Sequence, residues 1–435
     1  MTDRKKILSW CMYDWANSGF ATTILAAVMP IFYVKVAGAN LEPAQATSNW
    51  AFTNSIAMLT AAILAPILGA MADHSGSRKR FLALFMGIGS LGTASLVVIS
   101  TGDWFLASGL YLIGRISFSA SNIFYDSMLP SVAGDKIDQV STGGYAMGYL
   151  GGGILLAINL LMIQKPALFG IHEYMGVSAV EWGTRLSFVT VGLWWALFSI
   201  PILKNVPEPP TIKMAGESKS SIAASFQRIG LTFAEIKKFR EALKFLIAYW
   251  LYNDGIGTII VMATAFGTEI GIGQGHLIGA LLMVQFAGIP FTLLFGTIAK
   301  KLSPKTGILI SLTIYSAISI GGYFMSSPLH FWMLAFCVAL VQGGSQGLSR
   351  SLFGSMVPRS KTAEFFGFYD ISSKFSGVLG PLVFGLVGTL TGTSRLSILA
   401  VVIFFITGGF LLLFVDHDKG KALAREAEAK IEGMA

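Results

Sequence analysis

Apolar residues run through this chain in long blocks, and the short polar intervals between them set the elements it forms. Blocks at 8–35, 50–72, 80–101, 104–128, 139–163, 185–203, 244–268, 276–299, 305–325, 329–353, 362–390 and 395–415 each come near the roughly 20 residues a helix needs to cross a bilayer. The pattern predicts an all-α membrane protein of twelve transmembrane helices. The longest polar interval, 204–243, divides them six and six. It opens with KNVPEPP (Lys204–Pro210), whose prolines break a helix. It continues from Ser221 to Lys244 with apolar residues at helical spacing and basic residues between them, the signature of an amphipathic helix on a membrane surface. Residues 416–435 read as a solvated tail helix without chemistry. The organisation is thus a six-helix bundle (1–203), a cytoplasmic linker (204–243), a second six-helix bundle (244–415) and a tail (416–435).

Composition agrees with this pattern. Apolar residues make up 54% of the 435 and charged ones 12%, half the share of about 25% usual in soluble domains. A net charge of +8 would point to nucleic acid in a soluble chain, but here it sorts by topology. With the N-terminus inside, the inner segments hold Arg4, Lys5 and Lys6, Arg78 to Arg80, Lys136, the linker cations from Lys204 to Lys244, Lys300, Lys301, Lys305, Arg359, Lys361 and those of the tail. The outer segments hold only Lys35, Lys165, Arg185 and Arg395. This asymmetry places both termini and the linker in the cytoplasm, with the chain in the plasma (inner) membrane and no nucleic-acid partner. Cys11 and Cys337 stand alone without metal-ligand spacing, so neither a disulfide nor a metal is expected. The first apolar block is too long for the core of a signal peptide and is expected to remain as the first helix.

The two halves echo each other. NSGFATTI at Asn17–Ile24 returns as NDGIGTII at Asn253–Ile260, and SMLPS at Ser127–Ser131 returns as SMVPR at Ser355–Arg359. Gly69 has a counterpart in Gly296, and the three offsets are 236, 228 and 227 residues. A duplicated six-helix unit places a binding site at the repeat interface near the bilayer midplane. Between the second and third blocks lies GAMADHSGSRKR (Gly69–Arg80), which reads as a gating latch. Gly69 lets two helices approach, Gly76 permits a sharp reversal, and Asp73 can meet the N-terminus of a neighbouring helix. Arg78 is placed to meet Asp126, and Arg350 reads as a gate or packing residue at the same side of the membrane.

Twelve helices split six and six, a long central loop and this latch resemble the major facilitator superfamily over essentially the whole chain. Within it, YDWANSGFATTI (Tyr13–Ile24) resembles the opening signature of the vacuolar amino-acid effluxer family linked to autophagy and of its bacterial relatives. The resemblance implies two pseudo-symmetric six-helix bundles and a secondary active transporter working by alternating access, with amino acids as the first solute class to test. The sequence departs from the superfamily pattern in three places. His74 follows Asp73 where Arg is usual, Lys300 occupies the acidic position of the second-half copy, and Gly144–Gly153 has the glycines of the antiporter marker without its proline.

Charges inside the spans are the next signal, because burying one in hydrocarbon costs at least about 2.5–3.5 kcal/mol. Arg115 lies mid-block in the fourth segment, Asp254 in the seventh, and Asp370 and Lys374 four residues apart in the eleventh. Two cations and two anions near one level can pair permanently and fix the packing, or can receive both ends of a zwitterion. That pattern suits an amino acid better than a sugar or a drug-like cation. Asp14 and Asn17 in the first segment, Asn253 in the seventh, Gln285 in the eighth, and Gln342 and Gln346 in the tenth are further candidates for solute contact. The glycine runs at Gly143–Gly153 and Gly377–Gly385 read as close helix packing. Histidines fall at segment ends or in loops, and HExxH, GxSxG and GxxxxGK[ST] are absent, so neither enzyme chemistry nor ATP use is expected, and no cofactor. Energy then comes from a gradient, with Asp254 the candidate to carry a proton. The expected partners are a small-molecule solute, the bilayer and protons, with the chain a monomer. Two other classes stay open: a non-transporting receptor or scaffold acting through the 204–243 loop, and a lipid transporter with a cavity open sideways.

Overall fold

Every apolar block of the sequence has too few polar partners to leave its backbone unpaired in lipid, and the helix is the local solution. The computed structural model describes residues 3–75, 77–133, 137–208, 237–357, 369, 372, 373 and 375–432. In chain order the helices are α1 (Asp3–Ala37), α2 (Pro43–Ser75), α3 (Arg78–Val98), α4 (Trp104–Ala133), α5 (Ile137–Gln164), α6 (Ala179–Asn205), α7 (Arg240–Glu269), α8 (Gln274–Leu302), α9 (Pro304–Tyr323), α10 (Pro328–Gly354), α11 (Leu379–Thr391), α12 (Ser394–Leu413) and α13 (His417–Glu432). Among the described residues, nine of these carry a stretch long and apolar enough to span a membrane, and α2, α4 and the short α11 stand at the other three expected positions. Large apolar side chains such as Leu91, Phe105, Leu193 and Leu390 point outward, 72%, 78%, 64% and 83% exposed, which suits lipid as the surrounding solvent.

Helix ends follow local chemistry that hydropathy does not report. α6 starts at Ala179, not at 185, because Ser178 Oγ accepts the N–H of Glu181 in a Ser-x-x-Glu cap. α2 starts at Pro43, whose missing N–H costs nothing in a first turn. Lys79, in the first turn of α3, donates its N–H to both carboxylate oxygens of Glu208, at 3.1 and 3.3 Å. The acid of KNVPEPP therefore serves as a helix cap.

α1 is not uniform. Across Phe20–Ala27 and Tyr33–Ala37 its hydrogen bonds skip five residues, as from Val28 N–H to the Thr23 carbonyl and from Gly38 N–H to Tyr33 at 2.7 Å. Pro30 has no N–H to return to Ala26, and the Ala26 carbonyl instead accepts the Thr264 hydroxyl at 2.6 Å. Wide turns of this kind inside helices are frequent at functional sites.

The chain groups into two compact units, Met1–Ser225 with Val261–Leu282, and Phe226–Ile260 with Met283–Ala435. In the first, α1 lies directly on the glycines of α5, while Trp195 of α6 covers Gly89 of α3 and packs on Phe20 at 5.5 Å. In the second, Tyr315 of α9 stacks on Phe405 of α12 at 5.3 Å, and Gly408 of α12 lies against Tyr252 of α7.

The tail corrects the expectation of a merely solvated helix. Glu241, 3% exposed, accepts the Asp416 N–H and the Lys244 ammonium, each at 2.8 Å. Lys305 donates to the carbonyls of Leu413 and Val415, both at 2.8 Å, closing the end of α12. His417 Nε2 pairs with Ser355 Oγ at 2.8 Å, and Gly420 sits on Met356. Burial, with Lys421 beside it, holds the His417 imidazole below its ordinary value of 6.5 against the opposing pull of Asp418; Lys305 lowers it further and Asp416 raises it. A histidine disfavoured in its charged form contributes docking stability above pH 6.5 that is lost as pH falls and the ring is protonated. The anisotropy of a dye at the C-terminus is therefore expected to drop on acidification, and His417→Gln to flatten the response.

Of the remaining expectations, residues 221–236 of the linker's amphipathic stretch lie outside the described residues, as do Asp370, Lys374 and Gly76, and its last residues, Arg240 to Lys244, instead open α7. Gly69 and Asp73 belong to the closing turns of α2, and Arg78 opens α3. The eleventh block was expected as one helix over 362–390. Its described part is instead interrupted at 376–378, and α11 begins only at Leu379.

Candidate functional site

In the first unit, α2 presents Trp50, Asn54 and Met58 at four-residue steps, and α4 presents Tyr111 and Arg115 one turn apart. The two stripes meet. Tyr111 donates to Asn54 Oδ1 at 2.5 Å, Asn54 donates to the Trp50 carbonyl at 2.9 Å, and the Trp50 and Tyr111 rings lie 4.5 Å apart. Trp50 Nε1 reaches the Val261 carbonyl at 3.3 Å. Alongside, Tyr33, Ser108 and Thr53 form a buried hydroxyl chain with steps of 2.8 and 3.0 Å.

Arg115 ends this polar wall. Its Nη2 touches Met58 Sδ at 2.9 Å and its guanidinium carbon lies 5.6 Å from the Phe118 ring centre. Its Nε is buried without a hydrogen-bond partner. Among the described residues no carboxylate pairs with it, whereas Lys6–Asp3, Arg185–Glu181 and Lys244–Glu241 do form ion pairs. A thioether and a ring face are weak substitutes for an anion. Arg115 is thus a fork of donors set in the protein without a paired anion among the described residues, suited to a carboxylate.

Asp14 takes a different partner. Its Oδ2 accepts Tyr125 OH at 3.2 Å, Tyr125 stacks on Trp10 at 4.2 Å, and Gly144 passes underneath. Asn17 donates to Asn122 Oδ1 at 2.7 Å, joining α1 to α4. Asp126, near the end of α4, is exposed. The structure therefore ties Asp14 and Asn17 into helix contacts, while Arg115 meets no carboxylate among the described residues.

In the second unit Asp254, 1% exposed at the middle of α7, accepts the N–H groups of Leu379 at 3.0 Å and Gly380 at 2.8 Å. Both carboxylate oxygens are thereby committed to the start of α11. Asn253 donates to Ser376 Oγ at 2.5 Å. Gln285 and Gln342 are half-buried, while Gln346 and Arg350 are exposed. Sequence reasoning passed over Trp50, Asn54, Met58 and Tyr111. The signal that finds them is their four-residue spacing on two helices, one of which carries a mid-span arginine.

A family model described as "Vacuole effluxer Atg22 like" matches residues 33–425, a range that begins after the Tyr13–Ile24 string. The chain is 37% identical over 420 residues to YxiO of Bacillus subtilis, described as an uncharacterized MFS-type transporter, with 96% of each chain covered. It is 24% identical over 465 residues to autophagy-related protein 22 of Yarrowia lipolytica, covering 87% of this chain and 76% of that one. Among solved structures, a D-xylose–proton symporter superposes with a TM-score of 0.67 at 15% identity, covering 96% of this chain and 99% of that one. A point mutant of the nucleoside transporter NupG gives 0.65 at 16% identity, covering 94% of this chain and 98% of that one. At such identities the two structures speak for the fold alone, that of the major facilitator transporters.

Proposed function

The chain belongs to the vacuole effluxer Atg22-like family of major facilitator transporters, and from that membership we propose that its solute is an amino acid, held by its carboxylate at Arg115 and moved by alternating access. The observation that carries this reading is a half-buried guanidinium whose Nε is buried without a hydrogen-bond partner and which meets no anion among the described residues. A solute carboxylate supplies the missing partner, accepts two parallel N–H donors from the fork, and is neutralised as it leaves water. A sugar or a nucleoside, the solutes named for the structural neighbours, brings no charge to match it.

Movement uses a gradient, and Asp254 is the group assigned to proton coupling because it is a carboxylate buried at mid-helix. Both termini are assigned to the cytoplasm from the distribution of Lys and Arg, in the plasma membrane of the cell. The test is uptake into proteoliposomes of labelled amino acids, nucleosides and sugars, with and without an imposed pH gradient. Amino acids alone are expected to enter, and Asp254→Asn is expected to remove the effect of the gradient while leaving movement down the solute's own gradient. Uptake of sugars or nucleosides in preference to amino acids defeats the solute assignment; gradient-driven uptake that survives Asp254→Asn unchanged defeats the coupling assignment.

A further inference from the structure

The duplicated halves allow a comparison that neither half permits alone. At the offset of 236 residues that relates NSGFATTI to NDGIGTII, Ser18 and Asp254 are equivalent, as are Gly19 with Gly255 and Thr22 with Thr258. At the offset of 228 that relates SMLPS to SMVPR, α5 corresponds to the eleventh segment, with Gly152 equivalent to Gly380 and Gly153 to Pro381. The packing confirms the register within each unit. A Cβ on Gly152 would meet Thr22 and the Ser18 carbonyl, and one on Gly380 would meet Thr258 and the Asp254 carbonyl.

Against this matched background two residues differ together. In the first half, serine faces a glycine pair and α5 runs without interruption from Ile137 to Gln164. In the second, aspartate faces Gly-Pro and the helix breaks. On one side the Ser376 N–H reaches the Ser372 carbonyl at 3.0 Å, and on the other Leu382 donates to Val378 at 3.3 Å. Between them, Pro381 is buried in the first turn of α11. It offers no N–H, and in a continuous helix its ring would collide with the carbonyl four residues back, at Gly377. Leu379 and Gly380 lose the acceptors that such a helix would provide at Phe375 and Ser376. Their N–H groups go to Asp254, and Asn253 holds Ser376 on the other side of the gap.

We infer that Pro381 and Asp254 form a two-part hinge in the eleventh membrane segment, the proline opening the backbone ladder and the aspartate positioning the freed end. A side chain inserted into a ladder is one of the few causes of a sharp helix break. Beside the coupling assigned to it above, Asp254 is on this account a positioning residue: it lets α11 swing about residues 376–378 without leaving the N–H groups of Leu379 and Gly380 unpaired in the bundle. The first half, with Ser18 and Gly153, has no such joint. The hinge itself rests on the packing; its use in transport rests on the reading above.

The test rewrites the second half with the residues of the first: Asp254→Ser, Pro381→Gly and the two together, with Asp254→Asn as a milder variant that keeps one acceptor oxygen. In detergent, Asp254→Ser is expected to lower the thermal midpoint and to speed amide exchange at Leu379 and Gly380 by about tenfold or more, because both N–H groups lose their acceptors. In the Pro381→Gly background the same change is expected to do little, since the two N–H groups return to Phe375 and Ser376. The double variant should be as stable as wild type yet take up a mixture of labelled amino acids about tenfold or more slowly, because the eleventh segment then lacks its joint. Equal effects of Asp254→Ser in both backgrounds overturn the pairing of cap and break. Wild-type uptake by the double variant overturns the hinge. If the wild-type protein moves none of the label, the solute assignment falls alone, and the coupling of the two substitutions in stability and exchange still decides the hinge.

Discussion

Replacing Arg115 by alanine is expected to reduce amino-acid uptake by about 100-fold or more while leaving the protein folded and at least as stable. Each charge-assisted hydrogen bond to a carboxylate is worth about 1.5–3 kcal/mol, and a fork makes two; at about 1.4 kcal/mol per decade the loss reaches two to four decades. The variant also leaves a solute carboxylate in the bundle without a cation, which adds to the loss. Stability moves the other way. Arg115 contributes no ion pair among the described residues, its Nε is unpaired, and its other contacts are Met58 Sδ and the Phe118 ring. Removing an uncompensated charge from such a place relieves a cost. Arg115→Lys is expected to recover only part of the uptake, because an ammonium cannot present the two parallel donors of the fork. Uptake into proteoliposomes, set beside the thermal midpoint in detergent, separates the two roles. A residue that only held helices together would lower the midpoint, and a midpoint that falls along with uptake overturns the assignment.

What the sequence could and could not convey follows from the range of each interaction. The spans were legible because bilayer thickness dictates a run length, and nine of the blocks are met by helices long and apolar enough to cross a membrane among the described residues. The helix ends were not, because they turn on single side chains: Ser178 with Glu181 extends α6, and Glu208 caps α3 from more than a hundred residues away. Arg115 and Asp254 were legible as charges that lipid would not tolerate. Their surroundings were not, and those surroundings separate them, since Asp254 has two backbone donors and Arg115 has a thioether. The repeated Asn17 and Asn253 show the limit of internal symmetry. One pairs with Asn122 on α4, the other with Ser376 at the break before α11, because the facing helix differs. The tail looked solvated because its docking relies on one buried acid, Glu241, and one histidine, with no run of apolar residues to announce it.

The seam between α1 and α5 is where substitution is expected to be most damaging to folding. Gly144, Gly148 and Gly152 recur at four-residue steps, the spacing that lets two membrane helices touch backbone to backbone. A Cβ on Gly152 would stand 2.9 Å from the Ser18 carbonyl oxygen, and one on Gly151 would stand 2.5 Å from that of Trp15. Both obstacles are main chain, so they yield only if the helices part. Parting breaks the bond from Thr22 Oγ1 to the Gly152 carbonyl at 3.2 Å and exposes the buried step from Asn159 to Thr23 at 3.3 Å, which Thr190 extends into α6. Lipid offers no hydrophobic force to press the helices back together, so the packing lost is not regained elsewhere. Gly152→Val is expected to cost more than the about 1–3 kcal/mol of ordinary overpacking and to leave little monodisperse protein in size-exclusion chromatography. Gly148→Ala should be milder, because the nearest atom, Ser18 Oγ at 2.6 Å, can rotate away. Gly257→Ala, with nothing within 4 Å of the added carbon, should be silent or slightly stabilising. The order of the three thermal midpoints checks the argument. Were Gly152→Val as stable as Gly257→Ala, the close approach of α1 to α5 would not hold the first unit together.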